Sequence, residues 1–288
     1  MPDVPSPQPH PQSSPRPGPQ PRAGDPLVAA LTGLDDHRLA ERLATLAGER
    51  LVELRTTAVA ESWDTGDLKD AGDRAAHVLL TGLLAQLRPD DAVLSEEGAD
   101  DPARLEADRV WIVDPLDGTR EFGEPPRDDW AVHVALWERG AGAAGEVGDL
   151  VAGAVAQAAL GETWSTADVP VPPPYAAGAP RLVVSRSRPP EVSDVVAAAI
   201  GARLVPMGSA GAKVMAVVRG VADVYVHAGG QYEWDSAAPV AVARAAGLHT
   251  SRIDGSPLRY NAADVYLPDL VVCRAELADA VLAAIAAG

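Results

Sequence analysis

The chain has 288 residues, enough for one large domain or two intimately packed halves around a sizeable core. A formal net charge of −17 excludes nucleic acid as an unaided partner and argues against an anionic membrane surface, since both bind through Lys and Arg; a phosphorylated small molecule stays open because cations can supply local positive charge. The single cysteine, Cys273, excludes an internal disulfide and a cysteine zinc site, and with no membrane-length apolar run and no signal-peptide core the expectation is a cytoplasmic protein that is a monomer or homodimer.

Met1 to about Ala23 is rich in Pro, Ser and Gln and poor in large apolar side chains. It cannot offset its ordering entropy and reads as a disordered tail, residues 1–24. Asp35 or Asp36 caps a helix running to about Thr57, with Leu39, Leu43, Leu46, Leu51 and Leu54 as its apolar face. A polar loop with Trp63, Asp64 and Gly66 follows, and Asp73 then precedes a helix carrying Leu79, Leu80, Leu83, Leu84 and Leu87. His77 falls one turn inside that helix, as surface or packing. Asp91 to Gly98 reads as a short strand leading into Glu96-Glu97, and Asp100 to Asp108 as an acidic surface loop. Arg109 to Val113 is a buried strand that Asp114-Pro115 stops, followed by a tight turn from Leu116 to Thr119. Trp130 to Trp137 alternates like a half-buried strand, Gly140 to Gly148 is a loose turn, and Leu150–Ala158 with Thr163–Ser165 forms a hairpin around Gly161.

The Pro- and Gly-rich stretch Val169 to Pro180 separates an N-terminal α+β half, 25–168, from a C-terminal α/β half, 169–288. In the second half strands are predicted at Arg181–Ser185, Arg203–Pro206, Ala222–Val226 and Leu270–Cys273, with Cys273 in the core. Helices are predicted at Glu191–Ala202, Val214–Val218, Asp235–Ala246 and Ala275–Ala287. The mixture of strands and helices points to a layered α/β or α+β protein rather than a strict βαβ repeat.

Asp114 and Asp117 stand three residues apart at a strand end, with a carbonyl at Leu116 between them. Together they make an all-oxygen cradle for a hard cation such as Mg²⁺. Gly118 lets a backbone or phosphate come close, and the Thr119 hydroxyl can orient a water. Asp-Pro and Asp-Gly are also ordinary turn formers, and Asp73 and Asp235 also read as helix caps. Yet Asp73, Glu96, Asp114, Asp117 and Asp235 all fall at strand ends or helix starts, where layered folds gather their ligands. Five carboxylates on one rim repel unless cations bridge them, and the chemistry that suits such a rim is metal-assisted phosphate monoester hydrolysis.

Glu96-Glu97, Asp114-Pro-Leu-Asp-Gly-Thr119 and Trp234-Asp235, in that order, resemble the motifs of the Mg²⁺-dependent, lithium-sensitive phosphatase superfamily. That superfamily comprises the inositol monophosphatases, fructose-1,6-bisphosphatases and bisphosphate nucleotidases. The resemblance covers about Pro26 to the C-terminus, and the segments Asp117–Phe122 and Glu233–Asp235 resemble the CysQ-type 3′(2′),5′-bisphosphate nucleotidases in an actinobacterial-looking form. It implies an alternating α–β–α–β–α sandwich. It also implies one Mg²⁺ on Glu96, Asp114 and the Leu116 carbonyl, a second on Asp114, Asp117 and Asp235, and a third, weaker ion near Asp73. Thr119, with Asp73 or Glu96, would deprotonate the attacking water, the amides of Gly118 and Thr119 would hold the phosphate, and a water steered by Asp235 would protonate the leaving oxygen.

Family nucleotidases use Ser and His in the loop where this chain has Arg186 and Arg188, Arg188 taking the histidine's place; arginine suits bidentate phosphate binding. Gly208 to Lys213 resembles the family's Gly-Ser-(Ser)-x-Lys element, with Lys213 either reaching a phosphate or lying at the surface, and Glu233 touching a sugar hydroxyl. Asp70–Asp73 lacks the usual Pro-Val-Thr, and the loop Gly123–Asp129 is unusual. The implied activity is removal of the 3′-phosphate of adenosine 3′,5′-bisphosphate, a by-product of sulfate assimilation. The alternatives are inositol monophosphatase or fructose-1,6-bisphosphatase activity and, from another class, a non-catalytic metal- or phosphosugar-binding regulator.

Overall fold

The computed structural model describes residues 25–142, 147–176 and 178–288; the tail 1–24 and part of the Gly140–Gly148 turn lie outside them. The elements of the first half are α1 (Pro26–Leu31), α2 (Asp36–Ala60), α3 (Thr65–Leu87), β1 (Ala92–Ser95), β2 (Arg109–Asp117), α4 (Thr119–Phe122), β3 (Ala131–Arg139), β4 (Gly148–Gln157) and β5 (Glu162–Ser165). Those of the second are β6 (Arg181–Ser185), α5 (Glu191–Ile200), β7 (Arg203–Met207), α6 (Ala210–Val218), β8 (Val224–Tyr232), α7 (Glu233–Ala245), β9 (His249–Ser251), β10 (Tyr266–Cys273) and α8 (Ala278–Ala287).

Two five-stranded sheets result, ordered β1-β2-β3-β4-β5 and β7-β6-β8-β10-β9. In the first, only β1 and β2 are parallel; in the second, β7, β6 and β8 are parallel and β10 runs against β8 and β9. Side chains alternate between two cores along each sheet. Trp111 and Val113 of β2 pack with the leucines of α2 and α3, whereas Val110 and Ile112 pack with α6, α7 and the inner face of the second sheet. Leu182 and Val184 of β6 turn the other way, onto α5 and α8. The layers are therefore α2/α3, sheet, α6/α7, sheet, α5/α8, the expected α–β–α–β–α sandwich.

Local chemistry explains most boundaries. Asp35 caps α2, its carboxylate accepting from Arg38 N at 2.8 Å. Helix α3 begins at Thr65, capped by Asp64, so Asp73 lies in its third turn and not at a helix start. Gly72 within α3 is a packing site: a Cβ there would come within 2.7 Å of the Phe122 ring. Strand β3 is buried through Trp137 on both faces, not alternating, because α2 and α7 cover opposite sides of the sheet. The acidic loop Asp100–Asp108 holds a buried Arg104, which binds Asp100 and reaches Asn261 and Ala262 in the other half. Cys273 is fully buried, and burial pushes its thiol up to about 12, as an inert core residue requires. Among the described residues no helix is long and apolar enough to cross a membrane.

Candidate active site

Strand β2 does not stop at Asp114. It runs to Asp117 with a register shift: Asp114 pairs with His133 and Asp117 with Ala131, three steps on one strand against two on its neighbour. Residues three apart on a regular strand face opposite sides. The extra residue at Pro115-Leu116 is a β-bulge, and it resets the phase so that both aspartates point toward α7 while Leu116 packs with α2 and α3. Leu116 N donates to Asp114 Oδ1 at 3.0 Å, closing the bulge. Gly118 follows with φ +85°, beside Ser209 and the Asp129 carbonyl, and opens α4. A side chain at that φ is strained, so the close turn requires glycine.

The third aspartate arrives from the second half. Asp235 sits in the first turn of α7, where its Oδ2 accepts from Tyr232 N at 2.6 Å. Oxygens of Asp114, Asp117 and Asp235 lie within 4.8 Å of one another, the one such acidic or metal-ligating group among the described residues. Asp114 is buried, and its Oδ2 has no hydrogen-bond partner among the described residues. A buried orphan carboxylate oxygen beside two further carboxylates fits a hard cation with oxygen ligands.

Electrostatics show the same demand. Burial, then the charges of Glu96, Asp117 and Asp235, push Asp114 well above the carboxylate range. Burial and Asp117 raise Asp235 to about 7, and burial with the neighbouring charges of Asp117, Glu97 and Asp73 raises Glu96 to about 7. The Glu96 residue is exposed overall, and its charge is among those that oppose ionisation of Asp114. Asp117 behaves oppositely. Burial opposes its charge, but His133, the Ser209 hydroxyl and Lys213 overcome this and hold it down to about 2. Its Oδ2 accepts from Ser209 Oγ at 2.5 Å and Gly211 N at 2.6 Å and faces His133 Nε2 at 3.2 Å.

The Thr119 hydroxyl lies 3.3 Å from Asp73 Oδ1 and 3.1 Å from the Leu116 carbonyl. From mid-helix, Asp73 thus still reaches the cluster, and burial with the charge of Glu97 raises it to about 7. Gly118 and Thr119 open α4, where first-turn amides have no intrahelical acceptor.

The expected substrate contacts are placed differently. Lys213 is neither at the surface nor extended toward a ligand: it is buried in α6, its Nζ donating to the carbonyls of Gly208 (3.1 Å) and Ser209 (2.6 Å). Glu233 is buried, with its two oxygens accepting from the amides of Asn261 and Ala262 at 2.7 and 2.8 Å, which occupies the groups a sugar hydroxyl would need. Arg186 is held by Glu121 and Glu124. Arg188 is exposed, and its guanidinium makes no ion pair among the described residues.

His133, Ser209 and Gly211 were not expected. His133 is buried on β3 opposite Asp114, with Nδ1 3.1 Å from the Trp234 carbonyl; burial lowers its basicity, but Asp117 overcomes this and raises it. A lone histidine in the apolar run Ala131–Trp137 was the available signal. A Cβ on Gly211 would stand 2.0 Å from His133 Nε2, and one on Gly208 2.3 Å from Glu121 Cδ. Both glycines of this turn are therefore required by the side chains they face.

The chain and its fold have counterparts among known proteins. The inositol monophosphatase family profile matches residues 35–287. The 3′-phosphoadenosine 5′-phosphate phosphatase of Mycobacterium tuberculosis (strain CDC 1551 / Oshkosh) is 52% identical over 244 residues, 83% of this chain and 89% of that protein. The 3′(2′),5′-bisphosphate nucleotidase CysQ of Escherichia coli (strain K12) is 34% identical over 206 residues, 68% of this chain and 81% of that one. Among solved structures, CysQ from Bacteroides thetaiotaomicron superposes with a TM-score of 0.66 at 28% identity, covering 82% of this chain and 95% of that one. Inositol monophosphatase II from Staphylococcus aureus MSSA476 shares the fold at a TM-score of 0.67 and 20% identity, covering 83% and 90%. With the profile spanning nearly the whole described chain and both motif aspartates and Asp235 converging on one point, the chain belongs to the inositol monophosphatase family.

Proposed function

We propose that the protein is a Mg²⁺-dependent hydrolase that removes the 3′-phosphate of adenosine 3′,5′-bisphosphate, giving AMP and inorganic phosphate. The observation that carries the reading is the buried triad Asp114, Asp117 and Asp235 with its orphan oxygen, in a chain half-identical to mycobacterial phosphatases named for this substrate. Asp114, Asp117 and Asp235, with Glu96 and the Leu116 carbonyl, would hold two ions, and Asp73 a third, weaker one. Bound there, Mg²⁺ supplies positive charge for the phosphoryl oxygens and acidity to water.

The chain's own part follows from where its groups stand. Asp73, raised to about 7 and beside the Thr119 hydroxyl, is poised to take a proton from the attacking water near neutral pH, with Glu96 as its neighbour in that task. The amides at Gly118 and Thr119 bind the phosphate being removed. Asp235 steers a proton to the departing ribose oxygen. His133 and Lys213 hold Asp117 ionised from behind. Arg186 and Arg188 receive the second phosphate. The reaction belongs with cytoplasmic nucleotide turnover during sulfate assimilation, with residues 25–168 and 169–288 as two packed halves of one enzyme.

The test is phosphate release, with Mg²⁺ present, from adenosine 3′,5′-bisphosphate, inositol 1-phosphate and fructose 1,6-bisphosphate in parallel. The nucleotide should be preferred by orders of magnitude in kcat/KM. Preference for a sugar phosphate overturns the substrate assignment, and release from none of them overturns the hydrolase.

A further inference from the structure

Arg186, on the loop after β6, is gripped by two carboxylates of unequal character. Its Nε donates to Glu121 Oε1 at 2.5 Å, and a terminal nitrogen donates to Glu124 Oε2 at 2.7 Å. The Glu121 side chain is 7% exposed, and it is packed against Gly208, where there is no space for a Cβ. The Glu124 side chain is 43% exposed. The inner contact is therefore fixed by packing, while the outer one is an exposed ion pair, a weak class of interaction.

The backbone beneath Glu124 is anchored independently of that pair. Glu124 N donates to the Glu121 carbonyl at 3.1 Å, Arg127 N to the Glu124 carbonyl at 3.0 Å, and Arg55 to the Arg127 carbonyl at 2.6 Å. The Glu124 side chain can swing into water while the loop stays in place. What it uncovers is a guanidinium edge, the geometry that binds phosphate through paired N–H donors. Glu121 packs on Gly208, and the adjoining Ser209 lies against Gly118, so Arg186 and the place proposed for the reacting phosphate are joined through the Gly208–Ser209 turn.

We propose that Glu124 is a built-in anion that occupies the phosphate-binding edge of Arg186, and that the second phosphate of a bisphosphorylated substrate displaces it. The contact then acts as a selectivity filter. A monophosphate leaves Glu124 in place and gains nothing from Arg186; a bisphosphate exchanges a weak exposed carboxylate for a doubly charged partner. This inference rests on the nucleotidase reading and adds to it the residue that tunes discrimination.

The experiment compares adenosine 3′,5′-bisphosphate with adenosine 3′-monophosphate, which share the reacting ester and differ in the second phosphate. In E124Q the KM for the bisphosphate should fall about five-fold, the loss of one exposed competing ion pair, while the KM for the monophosphate and both kcat values hold. E124A should behave likewise, because the carboxylate and not the side-chain volume is the competitor. A KM unchanged for both, or lowered equally for both, overturns the filter. If wild-type protein hydrolyses neither nucleotide, the functional reading falls and takes the filter with it; hydrolysis of both without a shift in their ratio overturns the filter alone.

Discussion

Asp114 carries a buried oxygen with no donor and three acidic neighbours, a cost that a folded chain tolerates when something else supplies the missing charge. The prediction runs in two directions at once. Asp114→Asn should stabilise the metal-free protein, by on the order of 1 kcal/mol in urea denaturation, while lowering kcat by about three orders of magnitude. A destabilised Asp114→Asn protein would contradict the picture of a frustrated cluster. Gly211 is the opposite case, a residue whose absence of side chain is its role. Gly211→Ala places a methyl group 2.0 Å from His133 Nε2, so it should destabilise by about 1–3 kcal/mol and impair hydrolysis by displacing the partner of Asp117. Urea titration and phosphate release on the same preparation check both effects.

At the level of elements, one residue can be asked which of its two tasks matters. Asp235 is both the capping-box residue of α7, three places after the N-cap Tyr232 whose amide it accepts, and a member of the acidic triad. Asp235→Asn keeps an oxygen for the Tyr232 amide but loses the charge, so folding stability should hold while hydrolysis is lost. Asp235→Ala should lose hydrolysis and, in addition, about 1 kcal/mol of stability, the net worth of the hydrogen bond from the Tyr232 amide. Equal stability of the two variants by thermal denaturation would remove the cap from the account. The same element shows what the sequence made legible. Trp234-Asp235 at the start of a helical pattern and Asp114 to Thr119 after an apolar run located the cluster, because turn chemistry and apolar periodicity are local. The bulge was not legible: a register shift depends on the neighbouring strand, and nothing within Asp114-Pro-Leu-Asp117 distinguishes a bulge from a turn. Lys213 and Glu233 were misread for a related reason. Each is a charged residue satisfied by backbone groups from outside its own side chain's visible pattern, Gly208 and Ser209 for one, Asn261 and Ala262 for the other. Asp73 stands in the third turn of α3 and not at a helix start, because Asp64 and not Asp73 caps that helix.

For the molecule as a whole, the proposed metal site couples pH to metal, and the sign follows from the direction of the shifts. Asp73, Glu96 and Asp235 titrate near 7 in the folded metal-free protein, above their unfolded values. Their contribution to stability is complete below the unfolded values and is lost as pH rises through about 7. Metal-free protein should therefore lose Tm between pH 6 and 8. On the proposed reading Mg²⁺ binds the ionised carboxylates, and it should raise Tm more at pH 8 than at pH 6. Thermal scans with chelator and with Mg²⁺ at the two pH values check this, and an equal metal-induced shift at both would count against the cluster as the binding site. A separate acid limit arises at Asp223 and Asp269. Burial of each opposes its charge, but Arg181 and Arg274 on Asp223, and Arg252 on Asp269, hold them below the usual range. The stability they contribute is present above their unfolded values and is lost as pH falls through the folded ones.

Asp117 and Asp235 are separated by 118 residues of chain and meet only because α7 lies on the first sheet. During synthesis the first two aspartates leave the ribosome roughly 6–24 s before the third, at ordinary elongation rates. Throughout that interval the nascent chain lacks the third carboxylate of the triad. The acidic triad is thereby completed only late in translation, and a polypeptide that ends before α7 lacks Asp235 altogether.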